Sequence, residues 1–143
     1  MLSTSCKYAL RAAVYLSANT DDLKKAGIKE ISEEIQANEH TTAKILQLLA
    51  REKIIASTKG PNGGFHISRH AKKIRLMDIV KIVDGTGFFT TCGLGLVKCS
   101  EKKPCPIHET FKFSKEKLQK DFSTITIQDL ANDIEKGETF LRR

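Results

Sequence analysis

The chain has 143 residues, of which 40% are hydrophobic and none is tryptophan. That length suits one compact domain with a modest core and an added dimerisation element. No apolar run approaches the ~20 residues that span a membrane, so we expect no membrane partner. The net charge of +7 is spread along the chain, because residues 1–70 carry ten Lys and Arg against seven Asp and Glu, and residues 71–143 carry fourteen against ten. Such a charge permits nucleic-acid binding without proving it.

A first amphipathic helix is predicted over residues 4–18. Small and apolar residues share one face at helical spacing, and they are Cys6, Leu10, Ala13, Val14 and Ser17. Because Arg11 interrupts the apolar segment, we interpret it as a helix and not as an export signal. We therefore expect a cytoplasmic protein whose thiols stay reduced, and we interpret Cys6 as a small core residue.

Two short helices are predicted next, at 28–37 and 41–53, with Asn38 in the left-handed conformation in the turn between them. Two helices joined by such a turn are the pattern of a helix-turn-helix unit, although the same pattern occurs in all-α proteins that bind no DNA. The second helix is predicted to face inward through Ala43, Leu46, Leu49 and Ala50. Base edges in the major groove would meet the residues at its start and just before it, which are His40, Thr41, Thr42 and Lys44.

The following segment predicts a β-hairpin. Strands at 54–58 and 65–68 flank a loop that contains three glycines, a proline and an asparagine. A hairpin directly after a recognition-like helix is typical of a winged helix, whose wing touches phosphates or the minor groove. The predicted wing contacts are Lys59, Asn62, Gly63, His66 and Arg69. The weaker alternative is a surface hairpin whose polar residues are only solvated.

A basic run and a further helix follow the wing. Residues 69–75 are rich in Lys, Arg and His, and beside the wing they could add salt-sensitive contacts to the DNA backbone. The apolar face of the next helix is made by Leu76, Ile79, Val80 and Val83. The helix is predicted to end at residues 84–85, with Gly85 as the C-cap signal.

Three cysteines and a histidine lie in the segment 85–108. They are Cys92, Cys99, Cys105 and His108. Thiolates suit iron–sulfur clusters, zinc and cuprous copper, and three thiolates with one imidazole make a four-ligand set. Six residues separate the first two cysteines and five separate the second from the third. This wrap is looser than the Cys-x-x-Cys pairs of structural zinc sites, and it suits a bulkier centre. Positive charge, which lowers thiol pKa values, comes from Lys98, Lys102 and Lys103.

Other interpretations of these residues remain open. The cysteines could bind zinc for structure alone, or they could be free thiols that sense oxidants by forming disulfides. A Cys–His nucleophile is a further option, with His108 as the base. Since the sequence offers neither a third group to orient the histidine nor an oxyanion hole, we predict no enzymatic activity and no small-molecule substrate.

A helix of about four turns with one apolar stripe is predicted after the loop. Because the stripe stands at the end of a domain whose core is already formed, we predict that it pairs two copies of the chain. The predicted dimerisation residues are Ile107, Phe111, Leu118 and Phe122. The alternative is that the stripe packs back on its own domain. A last helix is expected around Leu130 and Ile134, and residues 140–143 are expected to fray.

These elements predict a mainly α-helical fold with a small β-hairpin wing. We expect a winged helix-turn-helix DNA-binding domain at 1–84 and a cysteine-rich cluster-binding loop at 85–108. A long dimerisation helix and a C-terminal helix would occupy 109–143.

In this order, the helix-turn-helix, the glycine-rich wing and the three-cysteine loop resemble the Rrf-type bacterial winged-helix transcriptional regulators, the family of IscR, NsrR and CymR. The resemblance implies a homodimer that binds a double-stranded DNA operator. In IscR-like members three cysteines and a histidine hold a 2Fe-2S cluster, and carried over these ligands are Cys92, Cys99, Cys105 and His108. NsrR-like members hold a 4Fe-4S cluster with an acidic residue near the N-terminus, where this chain has Tyr8. The resemblance therefore favours 2Fe-2S over 4Fe-4S.

The function implied by this resemblance is control of transcription in response to iron–sulfur status, redox stress or nitric oxide, sensed by the cluster. Cluster binding would order the loop and change the setting of the two recognition helices. Two alternatives stay open. One is a winged-helix regulator that is stabilised by zinc or senses through its thiols, and the other is a zinc-binding interaction protein that binds no DNA.

Overall fold

The computed structural model describes residues 1–97 and 99–142. The expected positive charge of Lys98 beside the sulfurs and the expected fraying of Arg143 lie outside the described residues. In chain order the elements are α1 (Thr4–Asn19), α2 (Ile28–Ile35), α3 (Glu39–Arg51), β1 (Ala56–Thr58), β2 (Gly64–His66), α4 (Leu76–Val83), α5 (Gly87–Thr90), α6 (His108–Thr124) and α7 (Ile127–Glu135). Among the described helices, none is both long enough and apolar enough to cross a membrane.

Helix α1 lies at the centre of the fold. It begins where the Ser3 side chain accepts a hydrogen bond from the Cys6 N–H, which satisfies one of the free donors of the first turn. Its small side chains let other helices approach, and α1 packs against α2, α3, α4 and α7. The core residues that α1 contributes are Ala9, Ala12, Ala13, Val14 and Leu16.

The helix-turn-helix is formed by α2 and α3, with a different turn from the predicted one. Helix α2 ends at Ile35 because Gln36 adopts the left-handed conformation, with φ at 54°. Asn38, predicted to be left-handed, is extended and is the N-cap of α3. Its side-chain oxygen accepts a hydrogen bond from the Thr41 N–H at 2.8 Å. The prediction for Asn38 is therefore wrong, because the side chain is used to cap the next helix.

The buried face of α3 is rotated from the predicted face. The buried residues are Thr42, Ile45, Leu46 and Leu49, at i, i+3, i+4 and i+7. Ala43 and Ala50, which were predicted to face inward, are only partly buried. The stripe includes a threonine because its hydroxyl donates to the Asn38 carbonyl at 2.9 Å, so this hydroxyl is paired although it is buried.

The wing is the antiparallel pair β1 and β2, in which Ala56 lies opposite His66. Ala26, before α2, extends this hairpin through reciprocal backbone hydrogen bonds with Phe65 at 2.9 and 2.8 Å. The first strand is shorter than predicted. Ile55 is buried in the core, and the Ile54 N–H donates to the Leu49 carbonyl at 2.9 Å, so this segment follows the end of α3.

Gly64→Ala is expected to destabilise the protein more than Gly60→Ala. Both glycines have positive φ, at +148° and +105°, but a Cβ at Gly64 would lie 2.7 Å from the Ala26 carbonyl oxygen, whereas a Cβ at Gly60 would meet nothing within 4 Å. We expect a loss of about 1 kcal/mol at Gly60 from backbone strain and about 3 kcal/mol at Gly64 from strain and overpacking. Denaturant unfolding measures both, and equal losses would contradict the tight seating of Gly64 on Ala26.

The C-terminal segment joins the core of the N-terminal one. Backbone hydrogen bonds run from the Ile127 N–H to the Ile74 carbonyl at 2.7 Å and from the Leu76 N–H to the Ile125 carbonyl at 3.1 Å. Helix α7 then packs along α1, and its Ile127 and Ala131 are buried in the main core. Residues of the predicted segment 109–143 therefore share a core with the predicted DNA-binding segment 1–84.

A second apolar cluster lies between α1, α4, α5 and α6. Its buried members are Cys6, Met77, Val80 and Phe89, so Cys6 is the core residue that was predicted. Leu118 and Phe122 of α6 pack against it, and the Phe122 ring centroid lies 6.0 Å from that of Phe89. Within the single chain these two residues of the α6 stripe pack on their own domain and are partly buried there.

Candidate functional site

The cysteine loop leaves α5 and enters α6. Helix α5 was not predicted, and its Phe89 is buried in the second apolar cluster. Cys92 follows α5, and its carbonyl accepts a hydrogen bond from the Gly95 N–H at 3.0 Å. At the other end the His108 N–H donates to the Cys105 carbonyl at 2.9 Å, where α6 begins. Because α5 packs on α6, both ends of the loop lie close together.

The four donor side chains predicted from the sequence surround one cavity of about 180 Å³. They are Cys92, Cys99, Cys105 and His108. Within the cavity they form two pairs. The Cys92 and Cys105 sulfurs lie 4.0 Å apart, and the Cys99 sulfur lies 3.3 Å from Nδ1 of His108. All four thiols of the chain are free.

His108 has a ring nitrogen that lacks a partner. The residue is only 5% exposed, and its Nε2 is buried without a hydrogen bond within the described residues. Leaving a buried polar atom unpaired costs about 1–3 kcal/mol, so each such atom calls for an explanation, and Nδ1 of His66 is the other one in the described part of the chain. Nε2 is therefore the ring nitrogen of His108 that is left for a further partner, since Nδ1 lies beside Cys99.

The chemical types of these four donors suit a metal centre, although the two pairs do not converge on one point. Thiolates and imidazole are the ligands of iron–sulfur clusters and of zinc. Among the described residues, however, no three His, Cys, Asp or Glu side chains converge closely enough to hold a single ion. A metal centre here would have to bring the two pairs together, which an exposed loop between α5 and α6 permits.

Backbone donors and a lysine favour a charged sulfur at Cys92. The N–H groups of Leu94 and then Leu96 lower the pKa of the Cys92 thiol, and Cys105 and the Lys115 ammonium add to the effect. Hydrogen bonding and positive charge both stabilise a thiolate over a thiol. These contacts therefore make the Cys92 thiol more acidic than an ordinary cysteine thiol.

Two lysines of α6 also line the cavity, and their place there was not predicted from the sequence. Lys112 and Lys115 line the cavity, at i+4 and i+7 from His108. Lys112 bonds Glu101 of the loop at 2.5 Å, which raises the pKa of Lys112 and lowers that of Glu101. Helical spacing from His108 is the signal that would have identified them.

Phe111, predicted for dimerisation, forms a wall of this cavity. Its ring lies 4.9 Å from the Lys115 ammonium. A Cβ on Gly93 would lie 2.5 Å from the same ring, so the glycine permits the close approach of the loop. The prediction of a dimer contact for Phe111 is not supported by this placement, because the ring faces its own loop.

The outer face of α3 presents polar residues at regular spacing. The exposed residues are His40, Lys44, Gln47 and Arg51, at i, i+4, i+7 and i+11. Thr41 beside them is partly buried. Thr42, predicted to contact DNA, is 0% exposed, so that assignment is contradicted by its place in the core.

The wing places its predicted residues in different environments. Lys59 and Asn62 are exposed at the tip, and Arg69 is exposed with an ion pair to Asp21 at 3.5 Å. His66 is 8% exposed, with Nε2 3.8 Å from the Asp22 carboxylate, so its burial contradicts a DNA contact. Gly63 serves the turn, because a Cβ there would lie 2.2 Å from the Thr58 carbonyl oxygen.

The sequence profile of the Rrf2 family, described as iron-dependent transcriptional regulators, matches residues 2–133. This chain belongs to the Rrf2 family. An Aquifex aeolicus protein whose name describes an HTH-type transcriptional regulator is 33% identical over 138 residues, covering 95% of this chain and 94% of the relative. The predicted resemblance to Rrf-type regulators is thereby confirmed, and the role of these relatives is not that of an enzyme.

Solved structures of Rrf2 regulators share the fold. T. potens IscR superposes with a TM-score of 0.72 and 18% identity, covering 97% of this chain and 91% of that one. CymR, the global cysteine regulator of B. subtilis, superposes with a TM-score of 0.71 and 19% identity, covering 92% of this chain and 96% of that one. The predicted winged-helix fold is therefore confirmed.

Proposed function

We propose that this Rrf2 protein is a homodimeric transcriptional regulator that binds a DNA operator and senses iron–sulfur status, redox stress or nitric oxide through a cluster held by its loop. The observation that carries the proposal is that three thiols and a buried imidazole line one cavity between α5 and α6, and that Nε2 of this imidazole has no partner among the described residues. The proposed ligands are Cys92, Cys99, Cys105 and His108.

The outer face of α3 is the proposed reader of the major groove. His40 and Lys44 lie in its first two turns and point away from the core, as the contact residues of a recognition helix do. Gln47 extends the same face. At the wing tip, Lys59 and Asn62 are placed to reach the sugar–phosphate backbone.

A bound iron–sulfur cluster would supply a centre that exchanges electrons and reacts with oxidants or nitric oxide. This chain's thiols would hold it, and His108 would offer its unpartnered nitrogen. Tyr8 supplies no carboxylate and has the Arg11 guanidinium 5.0 Å from its ring centroid, which favours a 2Fe-2S over a 4Fe-4S cluster. Zinc is the alternative, because three thiolates and one imidazole match its four-coordinate sites.

A chain of packed elements connects the site with the DNA-binding face. His108 is the first residue of α6, and α6 packs on α4. Helix α4 is capped by Asp84, whose carboxylate accepts a hydrogen bond from the Ser3 N–H at 2.8 Å at the start of α1. Helix α1 in turn packs on α2 and α3. Ordering of the loop can thus change the setting of α3 relative to half-sites ~34 Å apart.

The test is to purify the protein without oxygen and to measure iron, acid-labile sulfide and zinc per chain together with visible absorption. We expect equal iron and sulfide, at two of each per chain for a 2Fe-2S cluster. Duplexes selected from a random library by the loaded protein then serve as operator. We expect their affinity to change on removal of the cluster and to fall with salt at a slope of about −0.9 per phosphate contact.

Three outcomes would contradict this proposal in different ways. Zinc without sulfide would make the loop a structural zinc site. Operator binding that is unchanged by removal of the cluster would leave a DNA-binding protein without a cluster sensor. Selection of no duplex at all would favour a zinc-binding interaction protein.

Phe113→Ser is expected to shift the protein from dimer to monomer. Phe113 is 71% exposed and lies two residues after Phe111, roughly 200° around α6 from the face that packs inward. In an antiparallel pair of α6 helices centred on Phe113, the exposed Glu109 of one copy would lie beside the exposed Lys117 of the other. The loss of a buried aromatic side chain at an interface centre typically costs about 2 kcal/mol or more, which sedimentation equilibrium measures as a weakened dimer.

The matched control is Phe140→Ser, because Phe140 is 74% exposed but lies beyond α7. We expect this variant to keep the dissociation constant of the unchanged protein. Dimers that survive Phe113→Ser would place the interface elsewhere.

A further inference from the structure

The donor atoms of the loop form two pairs of neighbours. The Cys92 and Cys105 sulfurs face each other at 4.0 Å, whereas the Cys99 sulfur faces Nδ1 of His108 at 3.3 Å. The fourth thiol, Cys6, is fully buried between α1 and α4. Two thiols are therefore arranged as partners for each other, while the third is held by an imidazole.

The paired thiols are flanked by exposed loop, although Cys92 itself is only 8% exposed. A disulfide has its sulfurs ~2.05 Å apart, so Cys92 and Cys105 must move together by about 2 Å. Residues 93–97, which follow Cys92, are exposed. Cys105 lies between two prolines in a segment outside any helix or strand, and it is partly open to solvent. The exposed loop backbone next to both cysteines is therefore where the closing movement would take place.

We propose that, in the protein without its cluster, a peroxide joins Cys92 and Cys105 in an intramolecular disulfide, leaves Cys99 reduced, and so blocks cluster uptake until the disulfide is reduced. The choice of the two cysteines follows from the pairing of their sulfurs. The consequence for cluster uptake rests on the proposed function, since both cysteines are proposed ligands.

The reaction is a two-electron oxidation of two thiols by one peroxide. The Cys92 sulfur attacks one peroxide oxygen, the O–O bond breaks, and hydroxide leaves and is protonated to water. The sulfenic acid on Cys92 is then attacked by the Cys105 sulfur. The S–O bond breaks, the S–S bond forms, and a second water leaves, so the peroxide is reduced to two waters.

Peptide mapping after hydrogen peroxide treatment tests the choice of cysteines. Trypsin cleaves after Lys81, Lys98, Lys102 and Lys112 but poorly between Lys103 and Pro104, so each loop cysteine falls on its own peptide. These peptides are 82–98, 99–102 and 103–112. In metal-free protein, we expect peptides 82–98 and 103–112 to be joined and peptide 99–102 to be alkylated as a free thiol.

Two variants sharpen the result. Cys99→Ser should form the same joined peptides, because its sulfur is not part of the pair. Cys105→Ser should form none, and a sulfenic acid should instead be trapped on peptide 82–98 by dimedone. Bridging through Cys99, a disulfide between two chains, or no disulfide at all would overturn the proposal.

A separate measurement keeps this proposal apart from the proposed function. Reduced and peroxide-treated proteins are each given iron and sulfide without oxygen and without added thiol. We expect uptake by the reduced protein, loss of uptake after peroxide, and recovery with dithiothreitol. If the protein takes up as much cluster after the Cys92–Cys105 disulfide has formed as it did before, the proposed block of cluster uptake is wrong. If even the reduced protein takes up no cluster, the proposed function is wrong. The choice of Cys92 and Cys105 for the disulfide is still decided separately by the peptide map.

Discussion

Cys99→Ala is expected to abolish iron and sulfide binding, whereas Cys6→Ala is expected to leave both at the level of the unchanged protein. The Cys99 sulfur lines the cavity and lies 3.3 Å from His108, so the substitution removes one of the proposed ligands. Since changes to residues that only support a ligand can reduce metal binding by ~10–100-fold, loss of a ligand should leave no measurable cluster. Iron and sulfide assays after anaerobic reconstitution provide the measurement.

Cys6 is the matched control because it is a cysteine outside the loop. It is 0% exposed, and burial together with the nearby Asp84 carboxylate raises the pKa of its thiol to about 12. A thiol that stays protonated is a poor metal ligand. We expect Cys6→Ala to lower the free energy of unfolding by about 1 kcal/mol and to keep the cluster. Loss of the cluster in both variants would show that binding depends on the number of cysteines and on an intact fold, and not on the ligands of the loop.

Leu46→Ala is expected to lower the free energy of unfolding by about 3 kcal/mol, which is a large part of the ~5–15 kcal/mol that stabilises a domain. Leu46 is 0% exposed and lies in the buried stripe of α3, where a shortened side chain leaves a cavity beneath the recognition helix. Thermal and denaturant unfolding of the metal-free protein measure the loss directly.

Lys44→Ala, two residues earlier on α3, should have the opposite effects: stability should be kept and operator binding should be weakened. Lys44 is exposed, so the free energy of unfolding should stay within about 0.5 kcal/mol of the original. If Lys44 contacts a phosphate, operator affinity should fall and the slope of log K against log salt should decrease by about 1. A substitution that changes neither affinity nor slope would remove this face of α3 from the proposed DNA interface.

Local sequence patterns predicted most of the fold because helices and hairpins depend largely on interactions between residues that are close in sequence. Helix α4 was predicted from Leu76 to residues 84–85 and is observed over Leu76–Val83, since its apolar spacing and the glycine after it both lie within ten residues. The wing followed from a glycine-rich loop between two apolar segments. The four candidate ligands were likewise named from residue type and spacing, and the structure brings all four to one cavity.

Burial of polar side chains was not predictable from those patterns. Thr42 lies in the core because its hydroxyl finds the Asn38 carbonyl one turn back, a pairing that hydropathy does not record. His66 lies on the inner face of β2, and alternation along a strand shows that two faces exist without showing which one packs. Both residues therefore looked available for DNA until their surroundings were known.

The sequence by itself determined the order of the elements apart from α5, the family to which they belong and the chemical kind of the loop site. Only the tertiary structure decided which surface covers the stripe of α6 and which sulfur lies beside which. A periodic stripe shows that a helix has an apolar face, but the cover for Leu118 and Phe122 is a cluster made by α1, α4 and α5. Likewise, Cys92 and Cys105 are neighbours because α5 and α6 pack together, and contacts between distant segments depend on the packing of the whole chain.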